Sequence, residues 1–206
     1  MDAASRKLAE NMTNVTTFTD RFDRALLYAT HVHGGQARKG TSTPYVAHLL
    51  AVAATVLEYG SSEDMAIAAL LHDAAEDQGG EPRLADIRSR LGDRVADIVR
   101  SCSDSTAAAH QPREDWRIRK TRYLEHLNRV DNETLLVSLS DEVHNARSIL
   151  RDLRNPAIGP AIWDRFKPTK GETLLYYRQV ASAFLRLLPG QLSEELSEIV
   201  DVLEKE

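Results

Sequence analysis

From Met65 to Leu71 the chain is an unbroken apolar run, Met-Ala-Ile-Ala-Ala-Leu-Leu. A helix that is apolar all round belongs at the centre of a domain, enclosed on every side. The pattern predicts such a helix from Ser62 to about Asp77, with Ser61 and Asp64 spaced like a capping box. Around it the spacing predicts amphipathic helices. Thr19 caps one from Asp20 to about His33, with Phe22, Ala25, Leu26, Ala29 and Val32 on one side; Gly34 and Gly35 end it. A polar loop, Gln36 to Thr43, follows. Thr43-Pro44 then opens a helix running to about Tyr59, because proline suits a first helical position, and Gly60 stops it.

Beyond Gly79-Gly80 and Pro82, shorter helices are expected at about Leu84 to Leu91 and Asp93 to Ser103. Ser103 to Arg113 reads as an exposed loop. Further helices are expected over Glu114 to Val130 and, capped by Asn132, over Glu133 to Leu153. Pro156, Gly159, Pro160 and Pro168 make Asn155 to Gly171 irregular. Helices return from Gly171 to Leu188 and, after Pro189-Gly190, from Gln191 to Leu203. Leu192, Leu196, Ile199 and Leu203 give that last helix a stripe that packs on its own domain or on a partner chain of a homo-oligomer. The expectation is an all-α, single-domain helical bundle: a flexible segment over 1–18, the body over 19–188, and a C-terminal amphipathic helix over 189–206.

Composition narrows the class. A chain of 206 residues with 42% hydrophobic and 28% charged residues has the ordinary globular balance for one domain. Aromatics are only 6%, in keeping with helices. No apolar run approaches the roughly 20 residues that span a bilayer, and Met1 to Asn14 lacks the apolar core of a secretory signal, so no membrane association is expected. The lone cysteine, Cys102, excludes an internal disulfide and Cys-based zinc clusters. A cytoplasmic location is the default expectation. A net charge of −5 argues against nucleic acid as a partner but leaves room for a small anion in a locally basic pocket.

Three segments carry chemistry. In the first, the apolar run ends in His72-Asp73-Ala74-Ala75-Glu76-Asp77. At helical spacing His72 and Glu76 share one face, and Asp73 and Asp77 the next. Three carboxylates beside an imidazole do not all stay ionised without a cation, unless the helix end is simply solvated. The second is His48, one turn after Pro44 and flanked by apolar Leu49 and Val52. It is either a ligand or a core histidine bonded to a carbonyl. The third is Asp141, which ends the apolar stretch Leu135 to Ser140 and shares a face with Asn145; it lies in a buried site or on the open side of a long helix. Two imidazoles and two carboxylates together suit Mn²⁺, Fe²⁺, Zn²⁺ or another first-row ion, with positions left for water and a phosphate oxygen.

Arg38-Lys39, Pro44-Tyr45 to His48, His72-Asp73 with Glu76-Asp77, and Asp141 with His144-Asn145 resemble the HD superfamily. More narrowly, they resemble the hydrolase domain of RelA/SpoT homologues and the stand-alone small alarmone hydrolases. The resemblance covers about residues 20–188. It implies removal of the 3′-pyrophosphate from (p)ppGpp, giving GDP or GTP plus pyrophosphate, with one divalent ion per chain, Mn²⁺ first. By the same resemblance, His48, His72, Asp73 and Asp141 hold the metal, and Glu76 and Asp77 position and activate the attacking water. Arg38, Lys39, Asn145, Ser148 and Tyr176 contact the nucleotide, with Tyr177 a neighbouring alternative to Tyr176. Four positions depart from the family pattern. Glu142 stands where relatives carry Lys or Arg, Leu49 where proline is usual, Gln78 where threonine is common, and Gly40 where an acid is usual. Glu142 keeps open a second nucleotide, (p)ppApp or another. A catalytically silent nucleotide-binding module is the alternative of a different class. With no room after residue 206 for a synthetase domain, alarmone synthesis is not expected.

Overall fold

The apolar run is the centre of the molecule. In the computed structural model, which describes residues 16–60, 62–103 and 114–206, every residue from Met65 to Leu71 is buried. They form helix α3 (Glu63–Leu71). Packed on it are α1 (Asp20–Val32), α2 (Val46–Tyr59), α6 (Asp93–Cys102) and α8 (Asn132–Leu153). Helices α4 (Ala74–Gln78) and α5 (Gly80–Leu91) link α3 to α6, and α7 (Trp116–Leu127) leads into α8. A 3₁₀ segment, Gly159–Arg165, folds back on α8. Last come α9 (Lys170–Leu187) and α10 (Gln191–Lys205). Among the described residues there is no strand, only an isolated antiparallel bridge between Ala37 and Pro44. The architecture is all-α, as the pattern predicts.

Several boundaries differ from the pattern, each for a local reason. The central helix does not run through to Asp77 but breaks at His72-Asp73, where Asp73 has φ −93° and ψ −5°. Helix α4 restarts beyond the break with Asp77 N–H bonded to the carbonyl of its cap residue Asp73 at 2.9 Å. The two polar side chains are drawn to a shared centre that a straight helix would not let them reach. Pro44 does not open α2. It sits at the neck of the 36–43 loop, closed by Arg38 N–H to Thr43 O (2.8 Å) and Tyr45 N–H to Gln36 O (2.9 Å), and α2 begins two residues later. Pro82 lies inside α5, whose start is Gly80. A proline in the first turn is tolerated there because those N–H groups have no intrahelical partner anyway. The cap of α8 is Asp131, which accepts from Thr134 N–H at 2.9 Å, and not Asn132. Ser61, residues 104–113 of the expected loop and residues 1–15 of the expected N-terminal segment lie outside the described residues. The observed cap of α3 is Ser62, accepting from Met65 N–H.

Helix α10 lays Leu192, Leu196, Ile199, Val200 and Leu203 against α8 and α9. Its other side is tied down by Arg147–Glu195 and by Arg178 with Asp201 and Glu204. Phe184 on α9 is fully buried in this part of the core. Phe184→Ala should therefore cost about 3–5 kcal/mol. That is a large share of the roughly 5–15 kcal/mol that domains have to lose. Urea denaturation measures it, and a cost under about 1 kcal/mol would mean that this layer repacks freely.

Candidate metal centre and nucleotide cleft

The four ligand candidates come from three pieces of the core. His48 is in the first turn of α2, His72 and Asp73 form the break after α3, and Asp141 is midway along α8. They converge. His48 Nε2 lies 3.5 Å from Asp73 Oδ2 and 3.1 Å from Asp141 Oδ1; His72 Nε2 lies 3.0 Å and 3.5 Å from the same oxygens. None of these contacts is aligned as a hydrogen bond, and both Nε2 atoms are buried without a hydrogen-bond partner. Ligand atoms of His48, His72 and Asp73 all fall within 4.8 Å of one another. Buried, unpartnered ring nitrogens facing two carboxylates are costly unless a cation completes the set. The N,N,O,O donors fit a first-row divalent ion.

Each of the four side chains is also held from outside the cluster, the imidazoles through Nδ1 and the carboxylates through the same oxygens that face the imidazoles. His72 Nδ1 is 2.8 Å from the Ala69 carbonyl, and His48 Nδ1 is 2.7 Å from His144 Nδ1. The Tyr45 hydroxyl donates to Asp73 Oδ2 at 2.6 Å, and Asn145 Nδ2 donates to Asp141 Oδ1 at 2.7 Å. Charge pairing is strong. Burial opposes ionisation, yet the adjoining imidazoles keep the Asp73 and Asp141 carboxyls well below the usual carboxylate range. Reciprocally, His72 is raised well above an ordinary histidine, against its own burial, by Asp73 and Asp141. Burial, with His48 and Arg38 nearby, pushes His144 down to about 4.

Beside this cluster opens a cleft of about 610 Å³. That is within the range of small-molecule sites, which run from about 300 to 1,000 Å³. Asp77 lines it, held by Gln36 Nε2 at 2.7 Å; Gln36 in turn bonds His33 Nδ1 (2.7 Å) and accepts from Gln78 Nε2 (2.9 Å). Glu76 is 3.8 Å from the Arg119 guanidinium. Arg38 donates to Asn145 Oδ1 at 2.5 Å with its guanidinium carbon 5.5 Å from the Tyr45 ring centre, and Lys39 Nζ is 5.8 Å from that of Phe166. Ser148, Tyr176 and Tyr177 also line the cleft. All the candidate residues read from the sequence thus lie in or beside one region.

The structure adds what the sequence did not indicate. Asn145 spans Arg38 and Asp141, linking the basic loop to a ligand candidate. Glu142, the departure of most concern, is only 5% exposed and accepts from the Tyr176 hydroxyl, so its carboxylate does not stand free in the cleft. Trp116 and Lys120 of α7 join the cleft wall, with Trp116 5.7 Å from the Tyr176 ring and Lys120 Nζ 4.9 Å from it. The run Trp-Arg-Ile-Arg-Lys over 116–120 was the available signal, but its periodicity alone does not say which side faces a ligand.

Comparison with known proteins gives the family. The family model described as HD domain matches residues 25–165. A guanosine-3′,5′-bis(diphosphate) 3′-pyrophosphohydrolase of Aquifex aeolicus is 32% identical over 130 residues, 63% of this chain and 18% of that protein. A GTP pyrophosphokinase of Myxococcus xanthus is 30% identical over 131 residues, 63% of this chain and 17% of that protein. The chain thus spans under a fifth of the length of these curated relatives. Among solved structures, one described as a metazoan ortholog of SpoT that hydrolyzes ppGpp and plays a role in starvation responses superposes with a TM-score of 0.72. It is 27% identical, over 91% of this chain and 98% of the other. A Listeria monocytogenes protein superposes at 0.63, also 27% identical, over 77% of this chain and 99% of its own.

Proposed function

The chain belongs to the HD domain family, and from that premise we propose that it is a metal-dependent hydrolase removing the 3′-pyrophosphate from (p)ppGpp. The observation that carries the proposal is the pair of buried, unpartnered Nε2 atoms of His48 and His72, facing Asp73 and Asp141 at the edge of a nucleotide-sized cleft. The match, over 91% of this chain, to a structure described as that of a protein that hydrolyzes ppGpp supports the substrate class. His48, His72, Asp73 and Asp141 would hold one divalent ion, Mn²⁺ as the first choice. Bound there, it supplies Lewis acidity toward a phosphoryl oxygen and offsets charge on the pyrophosphate.

The chain's own groups do the rest. Asp77, oriented by Gln36, and Glu76, beside Arg119, take the proton of the attacking water. Water oxygen attacks the phosphorus attached to the ribose 3′ oxygen, and the bond to that oxygen breaks. The 3′ oxygen leaves as a hydroxyl after gaining a proton, yielding GDP or GTP plus pyrophosphate. Arg38 and Lys39 offset substrate charge, Asn145 and Ser148 contact the nucleoside, and Tyr176 with Tyr177 walls the base side. Glu142 lines the cleft but is buried and engaged by the Tyr176 hydroxyl, which weakens its opposition to the 3′-pyrophosphate and leaves the choice between guanosine and adenosine alarmones to contacts with the base. No helix among the described residues is long and apolar enough to cross a membrane.

The test is a nucleotide panel of ppGpp, pppGpp, ppApp and nucleoside monophosphates, assayed with added Mn²⁺ for pyrophosphate against orthophosphate. Pyrophosphate from ppGpp is the expected result. Orthophosphate alone, or turnover restricted to nucleotides lacking a 3′-pyrophosphate, overturns the reading. Metal uptake and nucleotide binding by equilibrium dialysis, without turnover of any member, identify a silent nucleotide-binding module.

A further inference from the structure

A histidine binds a metal ion through a lone pair, so its other ring nitrogen carries the proton, and when buried that N–H needs an acceptor. His72 meets the condition simply: its Nδ1 faces the Ala69 carbonyl at 2.8 Å, a group that only accepts. His48 is different. It is 1% exposed, and its Nδ1 meets another imidazole nitrogen, His144 Nδ1, at 2.7 Å. At that separation one proton lies between the two nitrogens, since facing lone pairs repel. A carbonyl fixes the direction of such a bond by its chemistry, whereas a second imidazole fixes it only through its own tautomer.

We propose that His144 is a positioning residue of the metal centre, its Nδ1 accepting the Nδ1–H of His48 and so setting the tautomer and ring plane that aim the His48 Nε2 lone pair at the ion. The inference rests on the metal-centre reading above. It completes a pattern. Tyr45 holds Asp73, Asn145 holds Asp141, Ala69 holds His72, and His144 holds His48. Two of these four supports are consecutive residues of α8, one turn after Asp141. A single helix thus supplies one ligand and orients a second, borne on α2.

The experiment titrates Mn²⁺ into metal-free protein by calorimetry, for the parent, His48→Ala, His144→Leu and His144→Asn. Circular dichroism and urea midpoints check folding. Removing the outer partner of a ligand typically weakens a metal about 10–100-fold, the loss expected of His144→Leu. His144→Asn should keep most of the affinity, because its Oδ1 can stand where Nδ1 stands and accept the same proton. Parental affinity in a folded His144→Leu, with the ion lost in His48→Ala, overturns the role of His144 and leaves the metal centre standing. A parent that takes up no Mn²⁺ brings down both. Should the leucine variant not fold, His144→Gln decides, since its longer side chain displaces the acceptor. Asn near parental with Gln weakened supports the assignment; equal behaviour of the two overturns it.

Discussion

In Asp73→Ala the protein is expected to lose its metal and, with it, about a thousandfold or more in turnover. Asp73 Oδ2 is within 3.5 Å of both unpartnered Nε2 atoms, so its removal takes away the oxygen around which the two imidazoles converge. The charge balance changes as well: the carboxylates that raise His72 are halved, and the Tyr45 hydroxyl loses its acceptor. A metal's contribution to phosphoryl chemistry is several kcal/mol, and about 4 kcal/mol corresponds to about a thousandfold. His72→Ala should match it. Elemental analysis of both variants after dialysis, alongside steady-state rates with added Mn²⁺, makes the check. An unchanged ion content in both variants would remove these residues from the ligand set.

Glu76→Gln and Asp77→Asn should retain the ion and lose turnover by about 100- to 10,000-fold, the usual range for a group that moves a proton. Both acids sit in α4, beyond the break; Asp77 lines the cleft together with His48 and Asp141, and Glu76 is paired with Arg119. Asp77 is the better defined of the two, since Gln36 fixes one of its carboxylate oxygens at 2.7 Å. If the two acids handle one water, the double variant should be scarcely slower than the worse single one. Near-normal rates in both single variants, with metal content and fold intact, would dismiss this role.

How much of this was legible in the sequence depends on whether the signal was local. The uniform apolarity of Met65 to Leu71 marks a central helix because no face is left for water. The cap at Thr19 and the stop at Gly60 follow from chemistry within a few residues. Gly60 stops α2 by a different means from the usual left-handed turn: its φ is −127°, and a Cβ would lie 2.9 Å from Leu136 and Met65. The break at His72-Asp73 was not legible, because Ala74-Ala75 after it favours continued helix and the forces that bend the chain come from His48, Tyr45 and Asp141 far along it. Pro44 misleads for a similar reason, since its pairing with Ala37 belongs to the loop. The candidate ligands could be listed from spacing and resemblance, but their outer partners could not. Asn145 is indistinguishable in sequence as a nucleotide contact or as a clamp on Asp141, and only its bonds to Arg38 and Asp141 in the structure reveal the clamp.

The loop that carries Arg38 and Lys39 is pinned from below at Gly40. That residue has φ +69°, and a Cβ there would lie 2.7 Å from Arg165 Cδ. Arg165 is itself anchored by Asp152 of α8 at 2.6 Å. Ordering a loop with two long cationic side chains ordinarily costs a ligand much of its affinity in lost conformational entropy. Here the backbone share of that cost is met when the chain folds, so a nucleotide bound by Arg38 and Lys39 as proposed would have only the side-chain rotamers left to order. A bulkier residue at position 40 would therefore act on the entropy of association more than on any contact the nucleotide makes.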